Sequence, residues 1–307
     1  MTPVADLSKT LDLSILKDKS AIVTGGASGL GALIAASLAE NGACVTIADI
    51  NENAGRDFIA ACNAKGLNLN YVSTDVTEWR SQVTAFKSAI NFSSHEAIDI
   101  VVACAGVEGR AFTAPDEEPP SLGKDPPLPR TADANFNVNA KGVYYTSKLA
   151  QHYFALPPSP RTKATPTYRK CLVVISSLAG YLELNSADYT ACKWAVRGLF
   201  RSARSVMEDL GYRMNLIAPW IMDTPMSKDF AEWCRQNGIP VGEADDVTSA
   251  VIRCAADETI RGRALAIGAI ETFDLRDDLE GLNAGITMKE YLEGEAKKLM
   301  ELQGQRV

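Results

Sequence analysis

The sequence predicts an α/β fold, a doubly wound parallel sheet flanked by helices on both faces. Three observations support this. Apolar, β-branched runs alternate with amphipathic stretches through most of the 307 residues, as strands and crossover helices do in a parallel sheet. The first apolar run leads directly into glycines and then a helical pattern, Thr24-Gly25-Gly26-Ala27-Ser28-Gly29-Leu30-Gly31. A carboxylate, Asp49, closes the second run, 18 residues beyond Gly31.

The first strand is Ser20–Thr24. A helix follows over about 29–41, with Leu30, Ile34 and Leu38 on one face and Gly42 as its stop. The second strand, Cys44–Ala48, ends at Asp49. Next come a helix over about 53–64, a strand at 70–73, the turn Thr74-Asp75-Val76, a helix over about 79–91 and a fourth strand at 98–103. Residues 109–130 are rich in proline, glycine and charge and read as an irregular surface insertion. Residues 157–170 read the same way, between a helix over about 135–155 and a strand at 171–175. A helix over about 188–210 and a strand at 213–217 follow, then a partly apolar segment at 222–240. Arg263–Ile267 is the expected last strand, and the tail over about 287–303 reads as a charged helix. Strand–helix alternation resumes after each insertion and no repeat is present, so the expectation is a single domain over 1–307.

Composition excludes several function classes. At 46% apolar and 22% charged residues the chain can bury a sizeable core. Its net charge of −7 lacks the basic footprint of a nucleic-acid binder. No apolar run reaches the roughly 18 to 20 residues of a membrane-spanning helix, and charges interrupt the N-terminal stretch where a secretory signal needs an apolar region. Seven scattered cysteines without a C-x-x-C pair read as reduced thiols of a cytoplasmic protein. Two isolated histidines, His95 and His152, argue against a metal.

The glycine loop lies between a strand and a helix, so backbone N–H groups of Gly25, Ser28, Gly29, Leu30 and Gly31 can face a pyrophosphate. Glycines also serve tight turns for steric reasons alone, and Asp49 tips the reading toward a Rossmann-type dinucleotide site. A strand-end carboxylate accepts hydrogen bonds from the adenosine ribose and repels a 2′-phosphate. No Arg or Lys lies in the loop or directly after Asp49 and Ile50, which favours NAD over NADP.

Tyr189 and Lys193 stand at i and i+4 of an expected helix, hence on one face. A tyrosine with its ordinary pKa near 10 is a poor acid–base catalyst at neutral pH, and a neighbouring ammonium favours the phenolate. Upstream, the buried strand ending in Ile175-Ser176-Ser177-Leu178-Ala179-Gly180 presents hydroxyls where an open α/β sheet meets its ligand.

With these residues in place the chain resembles the short-chain dehydrogenase/reductase family. The loop matches T-G-x-x-x-G-x-G, and Asp75 and Val76 match the segment that contacts adenine. Asn137-Val138-Asn139-Ala140-Lys141-Gly142 resembles the helix of the catalytic asparagine, which maps to Asn139. Ser177, Tyr189 and Lys193 complete the tetrad. Asn215-Leu216-Ile217-Ala218-Pro219, with Ile221 and Thr224 beyond, resembles the nicotinamide segment, and the matches run over about residues 17–270. Three departures stand out. Ala103-Cys104-Ala105-Gly106 replaces Asn-Asn-Ala-Gly. Trp220 stands where a glycine is expected. The interval from Ser177 to Tyr189 is one residue short, so counting back from Tyr189 gives Ser176 and the motif gives Ser177, which is preferred here.

The resemblance implies hydride transfer between NAD and a secondary alcohol or ketone. Tyr189 would move the proton, Ser177 hold the oxygen, Lys193 orient the ribose, and Asn139 position a water. Ser177, Tyr181, Trp220 and Met226 are the expected substrate contacts. The apolar residues after the serine loop and over 220–233 point to a lipophilic substrate, in the manner of the branch containing 15-hydroxyprostaglandin dehydrogenase and fungal polyketide-tailoring dehydrogenases. A homodimer or homotetramer through the helices at about 135–155 and 188–210 is also implied. Two other functions fit the same fold: a non-redox isomerase or cyclase, and an NAD-binding regulatory protein working through the insertions. Trp220 and the altered Cys104 turn leave both open.

Overall fold

The computed structural model describes residues 3–109, 122–123, 125, 130–157, 168–184, 186–293 and 297–304. Most of the 109–130 and 157–170 insertions therefore lie outside the described residues. Eight strands form one sheet: β1 (Ser20–Thr24), β2 (Cys44–Asp49), β3 (Leu69–Ser73), β4 (Ile100–Ala103), β5 (Cys171–Ile175), β6 (Arg213–Pro219), β7 (Ala264–Ile267) and β8 (Thr272–Asp274). Their order is β3-β2-β1-β4-β5-β6-β7-β8, parallel except for the last pair. The chain winds outward from β1 in one direction and then from β4 in the other. The C-terminal strand ends on either side of this reversal are where such sheets bind ligands.

The helices are α1 (Gly29–Glu40), α2 (Glu52–Asn63), α3 (Trp79–Phe92), α4 (Arg130–Asn135), α5 (Val143–Phe154), α6 (Ala187–Asp209), α7 (Lys228–Gln236), α8 (Ala244–Ala256), α9 (Gly285–Tyr291) and α10 (Lys297–Gly304). One layer pairs α1 with α8, and the other joins α3, α5 and α6. Strands β1, β4, β5, β6 and β7 are buried along their whole length. Covered on both faces, they read as unbroken apolar runs.

Two elements depart from the sequence reading. Helix α8 was not expected, yet it buries Val247, Ala250, Val251 and Cys254 on one face. Its C-terminal carbonyls are capped from β6 by the fully buried Arg213, which donates to the carbonyls of Cys254, Ala255 and Asp257. The second is β8, which makes the sheet mixed where a wholly parallel one was expected. A parallel return needs a crossover of about a dozen residues, and residues 268–271 allow only the antiparallel hairpin. Helices α9 and α10 lie where the tail helix was expected.

Candidate active site

The glycine loop closes on itself through the absence of side chains. A Cβ on Gly31 would lie 2.1 Å from the Gly25 carbonyl oxygen, and one on Gly25 would lie 2.7 Å from the Ala105 Cα. Gly25 and Gly29 take positive φ, 68° and 51°, which other residues adopt only with strain. Ser28, at the start of α1, makes no side-chain cap, so the first-turn N–H groups face the loop mouth. The Asp49 carboxylate sits beside them, Oδ2 accepting from Ala27 N at 3.0 Å and Oδ1 from Asn51 N at 2.9 Å. The neighbouring Ile50 is 70% exposed. Thr74 N donates to the Asp49 carbonyl at 2.8 Å, bringing the end of β3 alongside. Asp75 Oδ1 accepts from Thr77 N, and Val76 packs against Gly142. These groups fit a dinucleotide: a cradle that a Cβ would fill, free helix N–H groups and a strand-end carboxylate.

Thr24, at the end of β1, has a role that the glycine motif does not reveal. Its buried Oγ1 accepts from Cys104 N at 3.1 Å and Ala105 N at 3.2 Å. The turn that departs from Asn-Asn-Ala-Gly is thus held through its backbone. Burial pushes the Cys104 thiol up to about 12, so it is a neutral side chain here.

The catalytic candidates converge from three elements. Tyr189 and Lys193 lie in α6, with the Lys193 ammonium 5.3 Å from the Tyr189 ring centroid. Lys193 is buried, and its Nζ donates to the Ile175 carbonyl at 3.2 Å. The serine turn after β5 abuts the same helix: a Cβ on Gly180 would lie 2.8 Å from the Lys193 carbonyl oxygen. The two serines are told apart by burial. Ser176 is 3% exposed, its Oγ donating to the Lys193 carbonyl at 3.3 Å. Ser177 is half-buried between the ends of β5 and β6, its Oγ 3.4 Å from the Pro219 carbonyl.

Asn139 lies in a π-helical turn, Phe136–Gly142, inserted between α4 and α5; such widened turns recur at functional sites. Its side chain is fully committed. Oδ1 accepts from Val107 N at 2.9 Å, while Nδ2 donates to the Val107 carbonyl at 2.8 Å and to Asn135 Oδ1 at 2.5 Å. Hence the amide braces the chain after β4, and contact with a water is left to the main chain.

Beyond β6, Ile221 is buried, and Thr224 Oγ1 and Ser227 Oγ lie 2.7 Å apart. Pro225 approaches Gly29: a Cβ there would lie 3.9 Å from Pro225 Cδ. Residues after β6 therefore overhang the glycine loop. Two of the four expected substrate contacts are engaged inside the fold. Tyr181 is buried, its hydroxyl donating to Asp277 Oδ2 at 2.9 Å. Trp220 is 7% exposed, donates from Nε1 to the Pro240 carbonyl at 3.1 Å and packs edge-on against Tyr291. That placement explains how an indole fits where a glycine was expected. Met226 is 49% exposed, and Phe230 and Trp233 of α7 stack with centroids 5.8 Å apart. No group of metal-ligating side chains occurs among the described residues, and no helix among them is long and apolar enough to cross a membrane.

Comparison with known proteins agrees with this geometry. The "short chain dehydrogenase" family model matches residues 19–235. A 5'-hydroxyaverantin dehydrogenase of Dothistroma septosporum is 40% identical, the alignment covering 91% of this chain and 94% of that protein. NADP-dependent dehydrogenase M3 of Phoma is 36% identical, over 90% of this chain and 84% of its own. Among solved structures, a short-chain type dehydrogenase/reductase from Mycobacterium marinum superposes with a TM-score of 0.70 over 84% of this chain and 97% of that one, at 19% identity. The chain belongs to the short-chain dehydrogenase family.

Proposed function

We propose that this protein is an NAD-dependent dehydrogenase interconverting a secondary alcohol and its ketone on a lipophilic metabolite. The supporting observation is the Lys193 ammonium set 5.3 Å from the Tyr189 ring centroid, with the serine turn packed on the same helix. When bound, the nicotinamide supplies the hydride-accepting carbon. Tyr189 takes the proton from the substrate hydroxyl, Ser177 hydrogen-bonds its oxygen, and the Lys193 cation stabilises the phenolate and orients the ribose. Through its main chain, Asn139 holds a water that links Lys193 to solvent. The cradle residues Gly25, Ser28, Gly29, Leu30, Gly31, Asp49, Ile50, Asp75, Val76, Cys104, Ala105, Gly106, Pro219, Ile221 and Thr224 hold the dinucleotide.

The fungal relative acting on 5'-hydroxyaverantin supports a fungal secondary metabolite as substrate. So do the partly buried Leu184, after the serine turn, and the partly buried Phe230 and Trp233 of α7 with the exposed Met226 before it. Both features that left non-redox readings open have structural explanations: Trp220 packs away toward Tyr291, and Thr24 holds the Cys104 turn. Exposed Tyr144 and Trp194, on α5 and α6, support association as a homodimer or homotetramer, and the seven free cysteines fit a cytoplasmic location.

Incubating the protein with 5'-hydroxyaverantin and either NAD or NADP tests the reading through reduced-nicotinamide absorbance. Turnover is expected with NAD at least about tenfold better than with NADP, the carboxylate of Asp49 excluding the 2′-phosphate. A preference for NADP, like that named for the Phoma relative, overturns the cofactor assignment but not the chemistry. Tyr189→Phe is expected to lower kcat by about 100-fold or more while NADH still binds; retained turnover overturns the assignment of Tyr189.

A further inference from the structure

Asp188 directly precedes Tyr189 in the first turn of α6, and nothing in the tetrad accounts for its contacts. Its Oδ1 accepts from Tyr189 N at 2.8 Å and from Ser186 Oγ at 3.1 Å. Its Oδ2 accepts from Asn135 Nδ2 at 3.1 Å, across 53 residues of sequence. Asn135 is fully buried at the end of α4. It also donates to the Glu108 carbonyl at 3.0 Å and accepts from Asn139 Nδ2. One hydrogen-bonded series therefore runs from the start of the tyrosine's helix to the π-turn of Asn139.

A second observation concerns the residue that follows Glu108. The chain after β4 passes so close that a Cβ on Gly109 would sit 2.3 Å from Ser186 Oγ and 2.6 Å from both Asp188 Oδ1 and Tyr189 Cβ. Tyr189 is thus confined by a bare backbone and by a carboxylate that Asn135 ties to the end of α4.

We infer that Asp188 is a positioning residue which, with Asn135, fixes the start of α6 against the π-turn and the loop after β4 so that the Tyr189 hydroxyl is held in register for proton transfer. The inference rests on Tyr189 being the proton-transfer group. A carboxylate in a first helical turn stabilises the helix in any case. What a helix-start role does not require is a bond to the asparagine that also holds Asn139.

The test uses the full-length protein, NAD and methyl naphthyl carbinol as probe alcohol, with NADH affinity read by fluorescence and folding by thermal melting. Asp188→Ala is expected to lower kcat roughly tenfold to a hundredfold, since a small misplacement of a reacting group costs that much. NADH affinity and the KM for the carbinol should stay within about twofold. Asp188→Asn still offers Asn135 an acceptor and should restore most of kcat, whereas Asn135→Ala should reproduce the loss. If Asp188→Ala fails to fold, the other two variants decide: a loss confined to Asn135→Ala supports the clamp, and wild-type turnover in both overturns it. A lower melting temperature with unchanged kcat in Asp188→Ala also overturns it. Tyr189→Phe is assayed alongside; if it is inactive while Asp188→Ala is fully active, the clamp fails and the assignment of Tyr189 stands.

Discussion

The two halves of the sheet hold their parts of the site in opposite ways. On the side of β1 to β4, the cleft is built from backbone N–H groups and the strand-end carboxylate of Asp49, while the buried Thr24 hydroxyl braces the Cys104 turn. Proximity there comes from missing side chains at Gly25, Gly29 and Gly31. On the side of β5 to β8, order comes from buried charge. Arg197, one helical turn beyond Lys193, grips Asp277 with two bonds of 2.9 Å and stacks on Tyr181 at 4.1 Å. It also donates to the Asn283 carbonyl and reaches that of Gly180 at 3.4 Å. Arg263 does the same for Asp274 and Asp278. A site built from backbone suits a ligand part common to many enzymes, such as a pyrophosphate. A wall pinned by long-range ion pairs can change its outline without disturbing that site.

The largest expected effect breaks the charged half. Arg197→Met leaves the Asp277 carboxylate buried, with Arg201 at 3.6 Å as a remaining cation and the Tyr181 hydroxyl still donating at 2.9 Å. Removing one partner of a buried pair costs about 3 to 5 kcal/mol, and Arg201 places the expected loss at the low end, read from urea denaturation. The double variant Arg197→Met/Asp277→Leu should recover part of it, because no charge is stranded. NADH affinity of the folded variants should be unchanged; an equal loss of cofactor affinity would show the halves to be one unit.

The converse change strikes the backbone half. In Gly31→Ala the new Cβ would meet the Gly25 carbonyl at 2.1 Å, so the loop must open. NADH affinity should fall about 100-fold, equivalent to roughly 2.7 kcal/mol, as measured by calorimetry, with the α6 and C-terminal side intact by amide exchange. Wild-type affinity in this variant would mean that the loop does not cradle the dinucleotide.

The same contrast explains what could be read from the sequence. The cofactor half depends on local features: a strand, a glycine spacing, a helix and a strand-end acid, all within Ser20–Asp49, and strands β1 and β5 have the expected bounds. Tyr189 and Lys193 are legible because i and i+4 fix a shared face. Partners far apart in sequence were not legible. Tyr181 and Asp277 are 96 residues apart and Arg197 and Asp277 are 80 apart, so Tyr181 read as a substrate contact when its hydroxyl serves the fold. Helix α8 was not legible because its buried residues, Val247, Thr248, Ala250, Val251, Ile252, Cys254 and Ala255, run almost unbroken, and periodicity does not separate such a run from a buried strand. Thr24 carried a weak signal, a hydroxyl at a strand end, whose partners at Cys104 and Ala105 only the sheet order supplies.

The smallest expected effect sharpens the comparison through pH. Burial alone would raise the Asp278 carboxyl, but the Gly281 N–H and the Arg263 guanidinium outweigh it and hold the group below its ordinary value. Asp257 is likewise lowered: burial opposes, and the Thr259 hydroxyl and N–H prevail. Because the folded form gives up its proton more readily than the unfolded chain, this stability is present above the unfolded pKa of about 3.9 and is lost as pH falls through the folded values. Stability should therefore decline with acidification below about pH 4. Asp278→Asn should be less stable at neutral pH, yet flatter in that acid range. An unchanged slope in Asp278→Asn would mean that this ion pair does not couple protons to folding, and that the C-terminal half is held by packing rather than by charge.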